Sequence, residues 1–526
     1  MLAHTPTVWM KSPKPDKLLY QELRQLSCDR LWRDEVPRFN AADSRNRIAQ
    51  VSVIRAVGVV FSESGNAAQK AQARHWLLSL LKAPEEKVRR YAAQALPKIS
   101  AGTESESGLI SLLQSSAGER ERQAVAKSLA KIGGTASLEA LAHEQNPALI
   151  RTRQKVQANV VRTAQPSRIR LEPRLSPAEG LTLHLRCRSG FEEILEREVR
   201  NHARTHGQFT LASPAQKGRV ALQANAPFSL ADICRMRCFV SMGLVLGTLP
   251  STPASDWAEP LSRIIASPLC HQILKTWTEG SLRYRIDFAD QGHLRSVVQQ
   301  AAGLAFSLAP DVLNDPSHAP WTLSIHSAPE GATVELRPKL VPDPRFTYRT
   351  ADIPAASHPA VAATLARLAG PMPHETVWDP FCGSGLELIE RSILGGVDQI
   401  IGTDLSLEAL NAAKTNSNSA NLPQVKAHFV QTDFRKYSQL PQIGKRSLTL
   451  VITNPPLGKR VPIPNLDGLI RSLFLAAAQT LRPGGRLVLI NPFFNTIFLP
   501  TLRLDYQKEI DLGGLKCWME RYIRLP

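Results

Sequence analysis

Hydrophobic and polar positions follow different periods in successive parts of the chain, and the changes of period divide it. Over residues 47–165 apolar side chains recur at i, i+3, i+4 and i+7, the stripe of an amphipathic helix. Shifting the sequence by 33 positions lays Leu77, Leu80, Ala92, Ala93, Leu96 and Ile99 on Ile110, Leu113, Val125, Ala126, Leu129 and Ile132. Each unit therefore predicts two antiparallel helices, with Lys87, Arg89 and Arg90 on the outer side of the second. A weaker third copy surrounds Val51–Val60. Such units bury their apolar faces only against each other, so an α-solenoid is expected here, preceded by an N-terminal extension, residues 1–46.

From Arg151 to Pro177 the pattern fades into a basic, proline-ended stretch, and residues 166–180 are expected to form a linker. Residues 181–340 then alternate with the period of two that marks half-buried strands. Strands are predicted at Leu181–Arg188, Gly218–Gln223, Leu282–Phe288, Trp321–Ser327 and Ala332–Pro338. Helices are predicted from Phe191 and over Leu230–Leu244 and His293–Leu308, an order that suits an α+β domain with a small antiparallel sheet.

In residues 341–526 short, continuously apolar strands alternate with helices. The strands are Val377–Phe381, Gln399–Leu405, Ala427–Asp433, Leu448–Pro456 and Arg486–Pro492. Strands apolar on both faces imply a parallel, doubly wound sheet, and in such sheets ligands bind at the carboxyl ends of the strands.

Composition adds a direction. A chain of 526 residues exceeds one core, consistent with this three-part division. The net charge of +18 favours a polyanionic partner, and residues 151–240 alone hold 16 Lys/Arg against 7 Asp/Glu. A solvated basic face is the alternative meaning of such a bias. The seven cysteines form neither CxxC pairs nor a ligand set with nearby histidines, so no metal site and no disulfide framework are expected, and the thiols fit a reducing compartment. No run of 18 apolar residues suggests a membrane span, and the first residues lack the apolar core of a signal peptide. A cytoplasmic protein is the expectation.

The candidate chemistry sits at the strand ends. Asp379-Pro380-Phe381-Cys382-Gly383-Ser384-Gly385 follows the first strand, and Gly383 and Gly385 allow a tight turn and close backbone approach to a ligand. Asp404 ends the second strand, where an acid accepts hydrogen bonds from ribose hydroxyls, and Asp433 ends the third, placed to flank an adenine. A lone strand-end aspartate is commonly a helix cap; three in succession are less easily explained that way. Thr453-Asn454-Pro455-Pro456-Leu457 ends the fourth strand. The prolines restrict the backbone so that the Asn454 side-chain oxygen and the Pro455 carbonyl can face one planar amine.

These motifs carry resemblances. The helical pairs resemble HEAT-type repeats, although their spacing is shorter than usual for that class. DPFCGSG, the strand-end acids and TNPP resemble the S-adenosylmethionine-dependent amino methyltransferases that modify exocyclic amines of nucleic-acid bases. The opening strand and Gly-Phe-Glu-Glu turn at 190–193, the later strand from Gly218 and Arg235-Met236-Arg237 are similar to the N-terminal half of THUMP-containing RNA methyltransferases. Within that class, Phe346-Thr347-Tyr348-Arg349, His358-Pro359-Ala360, Gly458-Lys459-Arg460 and Asp511-Leu512-Gly513-Gly514 resemble the RNA guanine-N2 methyltransferases, comprising tRNA enzymes and the large-subunit rRNA enzyme of that architecture.

The resemblance implies a multidomain protein: a HEAT-like α-solenoid, a central α+β THUMP-like RNA-binding region and a C-terminal α/β, Rossmann-like methyltransferase. It implies S-adenosylmethionine held by Asp379, Phe381, Gly383, Gly385, Asp404, Asp433 and Asn454, with Asp379 facing the cofactor's amino group. It implies catalysis by Asn454, Pro455, Pro456 and Leu457 without a metal. RNA is the implied partner, tRNA first and rRNA second, with Arg186, Arg188, Arg219, Arg235, Arg237, Lys459 and Arg460 as contacts. The repeats offer a surface for a protein partner. The position after the prolines is aromatic in that family, where it stacks on a flipped base; here it is Leu457, which leaves Phe493, Phe494 or Phe498 for that role. The same motifs admit an N6-adenine or N4-cytosine methyltransferase, and Leu457 alone favours an RNA-binding fold that no longer turns over.

Overall fold

The computed structural model describes residues 15–99, 102–164, 166–177, 180–289, 292, 294–328, 330–354, 356–458, 463–494 and 499–526. They form two compact units, Met1–Pro166 and Ser167–Pro526. All seven thiols are free. No helix among the described residues is long and apolar enough to cross a membrane.

The first unit is helical. Helices Ala67–Leu80 and Glu86–Ile99 form one pair, and Thr103–Ser115 and Glu119–Ile132 form the next. Leu77, Ala92, Ala93, Leu96, Val125, Ala126 and Leu129, residues related by the 33-residue shift, are buried in one core. Arg89 and Arg122 are also related by that shift, and each reaches forward: Arg89 Nε donates to Glu121 at 2.7 Å and Arg122 Nη2 to Glu144 at 2.6 Å. The repeat thus carries its own inter-unit ion pair. Residues 28–64, upstream of the clear repeats, are also largely helical and supply Phe39, Ile54, Val57 and Phe61 to the same core. Much of the stretch from Arg151 is ordered, since Pro147–Ala164 is a helix.

In the second unit the central part is built on an eight-stranded mixed sheet, larger than the small antiparallel sheet expected. Its order is Phe209–Leu211, Arg219–Ala224, Thr182–Arg186, Ser241–Leu249, Gly331–Pro338, Trp321–Ala328, Leu282–Phe288 and Val312–Asn314. Part of the expected linker is strand as well, since Ser167–Ile169 pairs antiparallel with Thr278–Gly280. The helix expected over Leu230–Leu244 stops at Ile233, and Ser241–Leu249 is a strand. Its place beside Gly331–Pro338 decides this: a Cβ at Gly243 would lie 2.4 Å from the Glu335 carboxylate, so this strand can approach only as glycine.

The C-terminal part is a seven-stranded sheet. In chain order its strands are β1 (Glu375–Asp379), β2 (Val397–Asp404), β3 (Lys426–Gln431), β4 (Leu448–Thr453), β5 (Leu481–Asn491), β6 (Leu502–Asp511) and β7 (Lys516–Arg524). They lie in the order β3-β2-β1-β4-β5-β7-β6, parallel through β5 and closed by an antiparallel hairpin. Helices α1 (Pro359–Ala369), α2 (Leu386–Ile393), α3 (Leu407–Ser419) and α4 (Leu466–Thr480) accompany it. Every residue of β4 is buried, as a central strand covered on both faces requires. Strand order reverses between β1 and β4, which opens a crevice at their carboxyl ends.

The central sheet and this domain are joined by buried polar contacts. Glu198 accepts from the backbone N–H groups of Arg237 and Cys238 and pairs with Arg367 of α1 at 2.6 Å. The turn at Gly190 fits closely against β6, where a Cβ would meet the Glu509 carbonyl at 2.2 Å; its φ of +98° also requires glycine.

Candidate active site

The loop leaving β1 is held by its neighbours. Gly385, at φ +83°, starts α2, and its N–H donates to the Cys382 carbonyl at 2.7 Å. Gly383 N–H donates to Asp404 Oδ2 at 3.0 Å, while Asp404 Oδ1 accepts from Ser406 N–H at 2.9 Å. The second strand-end acid therefore fixes the first loop and keeps lone pairs for a ligand. Asn416, buried on α3, donates to the Ser384 carbonyl and accepts from the backbone N–H groups of Thr350 and Ala351, tying that segment to the loop.

These ends enclose a cavity of about 1020 Å³. Phe381, Gly383, Asp404, Asp433, Asn454, Pro455, Pro456 and Leu457 all line it. Residues from four strand ends distant in sequence thus meet at one place. Asp379 and Gly385 lie behind the wall. Asp379 is fully buried; its Oδ1 accepts from Thr453 Oγ1 at 2.6 Å and Phe381 N–H at 3.0 Å, while its Oδ2 has no partner among the described residues. Burial, then the charge of Glu387, pushes its carboxyl well above the ordinary range.

Asp433 lines the cavity, yet both its oxygens are engaged by Arg435, which holds its pKa down. It also caps the short helix that follows, accepting from Arg435 N–H at 2.9 Å.

Asn454 has a defined orientation. Its Nδ2 donates to Ser357 Oγ at 2.9 Å, and Ser357 Oγ donates to Glu387 Oε1 at 2.5 Å. Asn454 Oδ1 is left buried without a partner among the described residues, an acceptor facing no donor of the chain itself. Such an orphaned atom costs about 1–3 kcal/mol unless a ligand satisfies it.

Leu457 packs among aliphatic residues, and Ile463, Leu469, Leu512 and Leu515 also line the cavity. The phenyl rings on its wall are those of Phe381 and Phe434, with centroids 4.8 Å apart. Phe494 instead packs on Trp518 at 4.4 Å, and Phe493 joins the core beside α4, so neither replaces an aromatic at position 457. Phe498 lies outside the described residues.

Several lining groups were not evident from sequence. Ser357, Glu387 and Glu408 belong to no motif, and only tertiary structure brings them to the strand ends. Arg188 reaches the cavity from the central sheet and Arg349 from the segment before α1. His358 lies beside them, its Nδ1 accepting from Ala360 N–H at 3.2 Å; burial, then Arg188, Arg345 and Arg349, lowers its pKa to about 4, leaving it neutral at pH 7. Acidic groups (Glu387, Asp404, Glu408, Asp433) and basic ones (Arg188, Arg349, Arg435) therefore line the same cavity.

The basic residues expected to hold RNA separate into groups. Arg237, expected as an RNA contact, donates through Nε and Nη2 to the fully buried Glu390 at 2.8 and 2.7 Å, with Tyr348 on the same carboxylate, and so takes part in the domain junction. Arg186 is bound to the buried Glu335, and Arg219 contacts Gln216. Arg235 is exposed. Lys459 and Arg460 lie outside the described residues.

Residues 347–496 match the model for the RMKL-like methyltransferase domain. This segment is thus similar to a methyltransferase domain. Residues 74–158 match HEAT repeats. Among curated proteins, the chain is similar to the ribosomal protein L11 methyltransferase of Pseudomonas fluorescens, 31% identical over 167 residues, or 32% of this chain and 48% of that protein. It is also similar to the tRNA (guanine(6)-N2)-methyltransferase of Thermus thermophilus, 27% identical over 165 residues, or 30% and 47%. The chain spans about half the length of these curated relatives. Among solved structures, TrmN from Thermus thermophilus superposes with a TM-score of 0.53 at 21% identity, covering 66% of this chain and 100% of that one. A possible methylase from Clostridium difficile 630 gives 0.51 at 17%, covering 66% and 99%. These two share the fold over about two thirds of this chain.

Proposed function

We propose that the methyltransferase domain transfers a methyl group from S-adenosylmethionine to the exocyclic N2 amine of a guanine in RNA, most favourably tRNA. The observation that carries this reading is Asn454: its amide is oriented by Ser357 so that a buried, partnerless oxygen is offered to a donor inside the cavity. An exocyclic NH2 supplies that donor.

The residues fit the cofactor. Gly383 gives close backbone approach, Asp404 carries free lone pairs for ribose hydroxyls, and Phe381 and Phe434 form an aromatic wall. Asp433, occupied by Arg435, is left a lesser role at the adenine. The cofactor when bound supplies a methyl group on a cationic sulfur. Asn454 Oδ1 and the Pro455 carbonyl would accept from the two N–H groups of the amine and hold its lone pair toward that methyl group, and the proton the amine gives up would pass to solvent. No residue needs to act as a metal ligand.

The similarity to a tRNA guanine-N2 enzyme supports guanine in tRNA. The same two acceptors suit the amines of large-subunit rRNA guanine, adenine N6 or cytosine N4. The intact acceptor pair argues against an inert fold. The domains act in sequence: a THUMP-like central region (181–340) with Arg235 exposed on it gathers RNA together with Lys459 and Arg460, which follow Leu457-Gly458 in the sequence, while the HEAT-like repeats offer a partner surface. This reading places the protein with its RNA in the cytoplasm.

Asn454→Ala tests the reading: methyl transfer to RNA from a deletion strain falls at least a hundredfold while calorimetric S-adenosylmethionine affinity changes little. Transfer persisting near the parent rate refutes Asn454's role. Nucleoside mass spectrometry of that strain identifies the base, N2-methylguanosine being the modification expected to vanish.

A further inference from the structure

We infer that Glu387 is the carboxylate that receives the ammonium group of the cofactor's methionine end. The assignment rests on the proposed cofactor and concerns which residue reads its charge. Sequence alone directs attention to Asp379, which ends β1, but the fold places Asp379 behind the wall with Oδ1 committed to Thr453 and the Phe381 N–H. Glu387, on the first turn of α2, lines the cavity itself while remaining only 3% exposed.

The local charge is unbalanced. Asp379 and Glu387 are both buried, and no cationic side chain pairs with either among the described residues; Glu390, whose charge also acts on Glu387, is already matched by Arg237. Glu387 receives a hydrogen bond from Ser357 Oγ at 2.5 Å and one from its own backbone N–H, neither of them from a cation. A carboxylate taken out of water without a cation is costly, and burial pushes the carboxyl of Glu387 upward as it does that of Asp379. A primary ammonium at the wall offsets that cost. It also provides three donors at a place where the chain presents acceptors, including the partnerless Ser384 Oγ of the adjoining loop. Asp379 then acts through the loop, as a positioning residue that adds negative potential from behind.

The test uses the full chain and three ligands that differ at this group. S-adenosylmethionine and S-adenosylhomocysteine carry the ammonium; 5′-methylthioadenosine keeps the nucleoside and sulfur and lacks the amino-acid end. Glu387→Gln preserves the acceptor for Ser357 and removes the charge. Calorimetry is expected to show about a tenfold to hundredfold loss of affinity for the first two ligands and less than a twofold change for the third, which also reports that the variant is folded. Equal weakening of all three, or no weakening of the first two, overturns the role of Glu387 and leaves the cofactor proposal standing. Failure of the parent chain to bind any of the three overturns both.

Discussion

Asn454 Nδ2 and Ser357 Oγ lie 2.9 Å apart, in a hydrogen bond that spans the crevice between β4 and the segment entering α1. It decides which end of the amide faces the cavity, since the nitrogen is committed and the oxygen is not. Ser357→Ala removes that decision, and the amide is then free to turn its NH2 donor toward the substrate's donors. The expected result is a fall in kcat of about tenfold, or roughly 1.4 kcal/mol, with KM for RNA little changed. Ser357→Thr, which keeps the hydroxyl, restores the rate. Single-turnover kinetics of the two variants check this; a shared loss would mean that packing, not the hydroxyl, matters.

Arg237 makes a second prediction because its structural and RNA-binding roles part company. Glu390 is wholly buried, so Arg237→Ala strands a carboxylate at the domain junction and is expected to destabilise the second unit by about 3–5 kcal/mol in urea unfolding. The salt dependence of RNA affinity is expected to stay unchanged. A slope reduced by about 0.7–0.9 would instead mark a lost phosphate contact.

Glu335 sits at the centre of the central sheet with His184 Nδ1 2.6 Å from one oxygen and Arg186 on both. Burial pushes its pKa up, and the bonds from His184 and Arg186 outweigh this and bring it down to about 2. A carboxyl depressed on folding from an ordinary 4.5 stabilises the native state above that pH, here by about 3 kcal/mol, and the contribution is lost as pH falls from about 4.5 toward 2. Acid unfolding followed by circular dichroism is expected to show this loss, and Glu335→Gln to flatten it.

Leu457 lines the cavity next to Asn454, Pro455 and Pro456, and the proposed function puts the base against it. Leu457→Tyr supplies a stacking surface worth about 1–3 kcal/mol per base, so KM for RNA is expected to fall up to tenfold or more. An unchanged KM would show that the base is held elsewhere, by the aliphatic wall of Ile463, Leu469, Leu512 and Leu515.

Much of the architecture was legible from local pattern. The helical period and its 33-residue repeat anticipated the buried faces of the first unit, and Leu448–Thr453 reads as a doubly covered strand because every residue in it is apolar or threonine. Strand ends in a parallel sheet point the same way, so Gly383, Asp404, Asp433 and Asn454 were bound to converge once the sheet was recognised. Residues 241–244 are strand where a helix was expected because a glycine-spaced apolar run has no decisive period; pairing with Thr182–Arg186 and with Gly331–Pro338, almost a hundred residues away, makes them strand.

Sequence by itself therefore determined the order of domains, the parallel sheet and the motif residues that meet at its edge, because periodicity and turn chemistry are local properties. Tertiary structure decided which charges remain available. It enclosed Arg237 against Glu390, set Asp379 behind the wall and Glu387 on it, and fixed Asn454 through Ser357. Those outcomes depend on burial and on partners supplied by distant segments, and desolvation acts on a charge only once the fold has closed around it.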